Sequence, residues 1–251
     1  MQGIETAIYV HVLKCAALIP RTLHYCWFGP DQQSDLIKKC IDSWQSIMPD
    51  FQVKLWNESN SPLDNRYAAA AYRQKLWSRL SNYVRYYALY TEGGIYLDTD
   101  VEVLKSLAPI LHHNAFAGFQ LQEENVDWVA CGVLGAQPGH DFSRRVFDLI
   151  VKRFEEDREF CRGPEATTAV LREMGLCRYG LQEIGDVTLY PREYFYPYSW
   201  LEKFSPDRVK EETFCVHHWM GSGLTPEPRR FPSPKQIAAR LMRFTSRPVL
   251  D

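Results

Sequence analysis

At 251 residues and 45% hydrophobic content, with no stretch that reads as a linker, the chain can bury a sizeable core and falls outside the disordered class. A formal charge of −2 and a pI near 6.4 argue against nucleic acid as the main partner. Seven scattered cysteines without a Cys-x-x-Cys pair exclude a zinc ribbon and point to a reducing, cytoplasmic setting.

Residues 1–18 are moderately apolar but carry Glu5, His11 and Lys14. They are too short and too interrupted to span a bilayer and lack the marks of a secretory signal, so they read as an N-terminal extension. Residues 19–29 form the first clear strand, ending at Gly29. Leu36, Ile37, Cys40, Ile41 and Trp44 then recur at helical spacing across 35–47, with Pro49 as the stop. Alternation over 51–56 predicts a half-buried strand, and 57–60 a turn. Strand, helix and strand at this spacing predict a right-handed βαβ unit.

Residues 67–92 read as one long helix, with Leu76, Leu80, Tyr83, Val84 and Tyr87 on its apolar face. Ser81 and Arg85, four apart, share a face; Arg85 is either a surface residue with a packed stem or a group aimed at an anionic ligand. Gly93 and Gly94 suit the left-handed turn that closes a helix. Ile95, Tyr96 and Leu97 then read as a buried strand leading into Asp98 and Asp100. An Asp-x-Asp triplet alone can be a solvated turn. At the exit of a buried strand, however, two neighbouring carboxylates repel unless a cation or donors lie between them. A hard divalent ion bridging them to a substrate's phosphates is the natural occupant. The pair is expected to lie at the sheet edge where open α/β folds bind ligands, against the largest pocket.

Further strands are expected at 115–119 and 129–136, an amphipathic helix at 142–154, a break at Gly163-Pro164 and a helix at 165–174. The segment 190–200 is a Pro-punctuated aromatic loop; its rings either cover the sheet or stack on a sugar acceptor. Residues 214–223 read as a strand entering a glycine-flanked turn, where His218 and Ser222 are candidate metal ligands and His217 is the alternative, since strand neighbours face opposite sides. The tail, 229–251, holds Arg229, Arg230, Lys235, Arg240, Arg243 and Arg247 beside an apolar stripe of Ile237, Leu241 and Phe244. It reads as a basic helical tail that packs on the domain or makes a weak contact with an anionic membrane.

Taken together, these segments resemble the glycosyltransferases with the Asp-x-Asp sugar-binding region. That family includes capsular and surface polysaccharide enzymes and initiating mannosyltransferases, with the catalytic domains of clostridial glucosylating toxins as distant relatives. The likeness rests on Ile19-Pro20 through Trp27-Phe28-Gly29, on Ser81 through Arg85 and Gly93 through Asp100, and on Gly163-Pro164, Tyr190 through Pro197 and His217-His218-Trp219, in family order. It implies a GT-A-like single α/β domain over 19–228, with a Rossmann-like mixed sheet flanked by helices. It also implies a Mn2+ or Mg2+ ion, a UDP-linked donor, retention of anomeric configuration and a glycan, lipid-linked or protein acceptor. Carried over, Trp27 stacks on the base, Ser81, Asn82 and Arg85 contact sugar and phosphates, and Tyr96 and Asp98 contact the donor. Asp100, His218 and Ser222 hold the metal, and Asp98, Asp100 and Arg85 are the catalytic candidates. The chain departs from the family at Asn82, where an aspartate is usual, and at Gly223, where a tryptophan is usual.

Cytoplasmic polysaccharide synthesis, peripheral at the inner membrane face, is the setting this reading suggests. The alternatives are an effector-like protein glycosyltransferase and a non-catalytic nucleotide-sugar-binding protein. An Asp-nucleophile phosphatase also uses a strand ending in Asp-x-Asp, but Glu102 stands where that class prefers Thr or Val.

Overall fold

The first strand, β1 (Thr22–Cys26), and the next, β2 (Gln52–Trp56), pair in parallel across helix α1 (Asp35–Ile47), giving the βαβ unit expected. The computed structural model describes residues 19–220, all within one compact unit that ends at Met220. Ser34 caps α1 by accepting from the amide of Ile37, and Cys40 and Trp44 anchor its buried face.

The long helix expected over 67–92 is two: α2 (Arg66–Arg73) and α3 (Trp77–Glu92). Between them Lys75 takes a left-handed conformation, φ 55°, and the Leu76 amide reaches back to the Ala71 carbonyl at 2.9 Å. That is a Schellman-type stop with lysine in the place usually held by glycine, which is why the sequence hides it. At the far end of α3, Gly93 and Gly94 both have positive φ, 65° and 106°. A Cβ on Gly94 would lie 2.6 Å from the Thr22 carbonyl, so only glycine lets β3 (Gly94–Leu97) start against β1. Buried His24 pins this turn: its Nδ1 accepts from the Trp56 indole at 3.0 Å, leaving Nε2 to donate to the Gly93 carbonyl at 2.7 Å.

The remaining elements are β4 (Val101–Val103), β5 (Ala115–Gly118), β6 (Val133–Ala136), α4 (Asp141–Asp157), α5 (Gly163–Glu173), β7 (Gln182–Ile184), β8 (Val187–Tyr190) and β9 (Cys215–His217). Seven strands form one mixed sheet in the order β2-β1-β3-β6-β5-β8-β7, with β6 and β7 antiparallel to their neighbours. The β7–β8 hairpin, which the sequence pattern does not announce, turns on Gly185 at φ 63°.

Alternate residues divide between two cores. Tyr96, Leu134, Ala115 and Ala117 join the core that contains α3, α4 and α5 residues, while Ile95, Leu97, Val133 and Phe116 join the core containing Trp44 and Phe195. The strands β4 and β9 form a separate antiparallel ribbon, pairing Val101 with His217 and Val103 with Cys215. This ribbon brings the end of the described chain back to the exit of β3. Among the described residues no helix is long and apolar enough to cross a membrane.

Candidate active site

Tyr96 and Asp98 lie two residues apart, so both point to the side of the sheet on which α3 packs. Arg85, on the sheet-facing side of α3, meets them there. Its guanidinium pairs with the Asp98 carboxylate at 3.1 and 3.3 Å and lies over the Tyr96 ring at 4.5 Å. Its Nε donates to the Ser81 carbonyl at 3.2 Å, and Nη1 donates to the carbonyl and thiol of Cys131. With only 4% of its surface exposed, Arg85 turns its donors onto protein groups; it holds Asp98 and does not present a free cation to a ligand. Tyr96 supports the same carboxylate, donating to Oδ1 at 3.2 Å. Gly132 completes the seat. Its carbonyl accepts from the Asp98 amide at 2.8 Å, and a Cβ there would stand 2.8 Å from Asp98 Oδ2.

Asp98 and Asp100 flank a tight turn closed by the Val101 amide donating to the Asp98 carbonyl at 3.0 Å. Asp100 then sits at the mouth of the ribbon, where its carbonyl accepts from the His218 amide at 3.0 Å and its Oδ2 from the Met220 amide at 2.8 Å. His217 Nε2 lies 3.0 Å from Asp100 Oδ1 and 3.9 Å from Asp98 Oδ2, so one imidazole faces both carboxylates. Burial works to raise the Asp100 carboxyl, but the His217 charge and hydrogen bond and the Met220 amide overcome it and hold the group at about 2. For His217 burial favours the neutral ring, and the attraction of Asp100 and Asp98 outweighs it, so the imidazole titrates above its ordinary value.

His218, on the opposite side of the strand, bonds Glu102 at 2.9 Å, and Glu102 also pairs with Lys39 at 2.9 Å. Alternation therefore brings His217 to the acidic pair and takes His218 away from it. Ser222 lies outside the described residues, as do the extension and the basic tail. Asn82 is buried, with its Oδ1 beside the Cys131 thiol and close against Gly163 at the start of α5.

Trp27 follows the carboxyl end of β1, half-buried, with its indole donating to the Asp31 carbonyl at 3.0 Å. Nearby opens a recess of about 530 Å³ lined by Gly29, Pro30, Glu58, Tyr72, Lys75 and Trp77, among others. The acidic pair does not line it, contrary to expectation; Arg85 and His217 stand beside the two carboxylates. Trp77, which lines the recess, and Arg85, which pairs with Asp98, lie eight residues apart on α3 with Ser81 between them, a helix rise of about 12 Å.

Sequence reasoning finds the acidic pair but misses Gly132, Cys131 and the Met220 amide. The glycines in and before β6 are the one signal, and they read simply as part of a strand.

Residues 34–117 match a family model described as the glycosyltransferase sugar-binding region containing the DXD motif. An inositol phosphoceramide mannosyltransferase 3 of Schizosaccharomyces pombe is 29% identical over 139 residues, covering 52% of this chain and 37% of its own length. The chain thus spans little more than a third of that relative. An uncharacterized glycosyltransferase of Acanthamoeba polyphaga mimivirus is 23% identical over 190 residues, 72% of this chain and 74% of its own. Among solved structures, the PaToxG glycosyltransferase superposes with a TM-score of 0.50 at 16% identity, covering 62% of this chain and 69% of its own. That likeness speaks for the fold alone, and the fold is the expected GT-A-like α/β domain with a mixed sheet flanked by helices. The family model and the names of both relatives all describe glycosyltransferases.

Proposed function

We propose that this chain, which carries the DXD sugar-binding region of a glycosyltransferase family across residues 34–117, moves a sugar from a UDP-linked donor to a glycan or lipid-linked acceptor with retention of configuration. The observation that carries this reading is the convergence of Asp98, Asp100 and His217 at the carboxyl edge of β3.

Two carboxylates and an imidazole nitrogen suit Mn2+ better than Ca2+, since imidazole favours transition metals. Buried His217 Nδ1 lacks a hydrogen-bond partner among the described residues, and a proton on Nε2 now lies between the carboxylates where a cation would carry positive charge in its place. The donor set therefore fits Mn2+ better than Mg2+. Among the described residues no three His, Cys, Asp or Glu form a ready cage, so donor phosphates would complete the shell, as is usual for such ions. Asp100 and His217 would hold the ion, with Asp98 toward the donor; Ser222 belongs to the same proposal. When bound, the cation neutralises charge developing on the leaving diphosphate.

The chain's own residues do the positioning. Arg85 and Tyr96 hold Asp98 oriented beside the sugar, where a carboxylate stabilises positive character at the anomeric carbon. The span of about 12 Å along α3 suits an extended donor, with the nucleoside toward Trp27 and the Gly29–Trp77 recess and the diphosphate toward Asp98. Ser81 lies between, and Asn82 beside Gly163 offers an amide that both donates and accepts, in place of an acceptor-only carboxylate. The name of the fission-yeast relative favours an acceptor that carries lipid, and a weak membrane contact through the basic tail belongs with that reading.

A nucleotide-sugar screen by thermal shift tests this. One donor, selectively and only with Mn2+, should raise the unfolding midpoint, since ligand at 100 times Kd adds about 2.7 kcal/mol. A chain whose midpoint responds to no nucleotide sugar, with or without metal, would sink the proposal. Selective binding without release of UDP would instead favour a non-catalytic binder.

A further inference from the structure

We infer that Trp200 and Trp219 form the acceptor subsite, a stacking platform for a pyranose ring beside the acidic pair; this rests on the transferase reading above. Trp219 is placed by the active-site turn itself. It stands between the two residues whose amides bond Asp100 and takes φ 56°, a left-handed conformation that a bulky residue adopts only when its surroundings impose it. Its ring contacts His217 at 4.1 Å between centroids, and its indole N–H donates to the Tyr198 carbonyl at 2.8 Å. The ring also packs against Tyr196, with centroids 5.8 Å apart, and against the core that contains Trp44, so it forms the half-buried inner wall of the subsite.

Trp200 extends the surface outward. It meets Trp219 edge-on, with centroids 5.3 Å apart and planes at 68°, and belongs to neither apolar core. Its loop is nonetheless rigidly held: Glu202 accepts from the Ser199 amide and hydroxyl at 2.8 and 3.0 Å and from Arg192 at 2.7 Å. A half-buried indole on a braced loop, outside both cores, is arranged to meet a ligand. The order Asp100, His217, Trp219, Trp200 is a continuous line of neighbours leading out of the site. An acceptor must approach from beside the donor sugar, and a pyranose ring presents a face of C–H groups that complements the negative face of an indole. Within the aromatic segment 190–200, Tyr190, Phe195 and Tyr196 are buried in the core that contains Trp44 and so cover the sheet, and Trp200 stays outside it. Leu201 and Met220, which follow Trp200 and Trp219 in the chain, and Phe204 are exposed apolar side chains, so a lipid chain is the competing occupant.

The test uses the full chain, Mn2+ and the donor found in the screen, with methyl and octyl hexopyranosides as acceptor probes. UDP release without acceptor reports the donor reaction and therefore the transferase reading; its acceleration by glycosides reports the platform. Trp200→Ala should leave basal release within twofold of wild type and raise the acceptor KM at least tenfold, and Trp200→Phe, which keeps an aromatic face, should recover most of that loss. Methyl and octyl glycosides of the same sugar should behave alike. An unchanged acceptor KM in Trp200→Ala overturns the inference, as does dependence on the octyl chain irrespective of the sugar. Saturation-transfer NMR with the same methyl glycosides needs no turnover. A transfer signal present in wild type and abolished in Trp200→Ala supports the platform even without activity, and no signal in wild type counts against it.

Discussion

Replacing Arg85 with alanine separates a positioning role from direct contact with the donor. The guanidinium pairs twice with Asp98, lies over Tyr96 and is 4% exposed. Removing one member of a buried pair costs about 3–5 kcal/mol, because the remaining charge is left uncompensated. Asp98 keeps 26% of its side chain exposed and recovers some hydration, which puts the expected loss near the low end, about 3 kcal/mol. For a domain of this size each kcal/mol moves the midpoint by about 2–4 °C, so Arg85→Ala should melt about 6–12 °C lower. Donor turnover should fall as well, since Asp98 loses its orientation. Arg85→Lys retains charge but neither the fork nor the stack, and should fall between the two. Differential scanning fluorimetry together with donor kinetics checks this. A midpoint within about 2 °C of wild type, roughly the effect of a single kcal/mol, alongside a large loss of turnover would refute the reasoning and return Arg85 to the phosphate-binding role the sequence suggests.

The ionised Asp100 carboxylate should stabilise the fold above the ordinary carboxylate range, an increment lost as pH falls through about 2; the shift corresponds to about 2 kcal/mol, and Asp100→Asn should flatten the acid limb of the stability profile. His217 works in the other direction: its raised value makes its contribution full below the unfolded value, near 6.5, and lost as pH rises through the folded one, which stability measured across neutral pH detects. His217→Ala should raise the Mn2+ concentration needed for half-activity, whereas His218→Ala, which disturbs Glu102 and Lys39, should leave that concentration within twofold; equal effects would remove His217 from the metal shell. Gly132→Ala places a methyl carbon 2.8 Å from Asp98 Oδ2, so kcat should fall at least tenfold with a smaller relative change in donor KM.

The local elements are readable because their signals are local. Spacing marks α1, alternation marks β2, and the Gly93-Gly94 pair marks both the end of α3 and the start of β3. The break at Lys75 is not readable, since a lysine in a glycine's conformation leaves no compositional trace. The site itself is half legible. Asp98 and Asp100 stand out after a buried strand, but His217 reaches Asp100 from 117 residues away, through a ribbon of three-residue strands with little pattern to display. Alternation says that only one of His217 and His218 can face the pair, and the register of β9 against β4 decides which. Arg85 is hard to place for a similar reason. Its partner carbonyl on Cys131 is 46 residues distant, and nothing on the helix marks that the arginine is already engaged.

The most direct measurement is UDP release from the donor chosen by the thermal screen, followed with wild type and Asp100→Asn in Mn2+ and in chelator. Release by wild type that depends on Mn2+ and falls at least a hundredfold in Asp100→Asn, equivalent to about 2.7 kcal/mol of transition-state stabilisation, is the result expected. Undiminished release in chelator, or an Asp100→Asn chain as active as wild type, would contradict a metal-assisted transfer at the acidic pair.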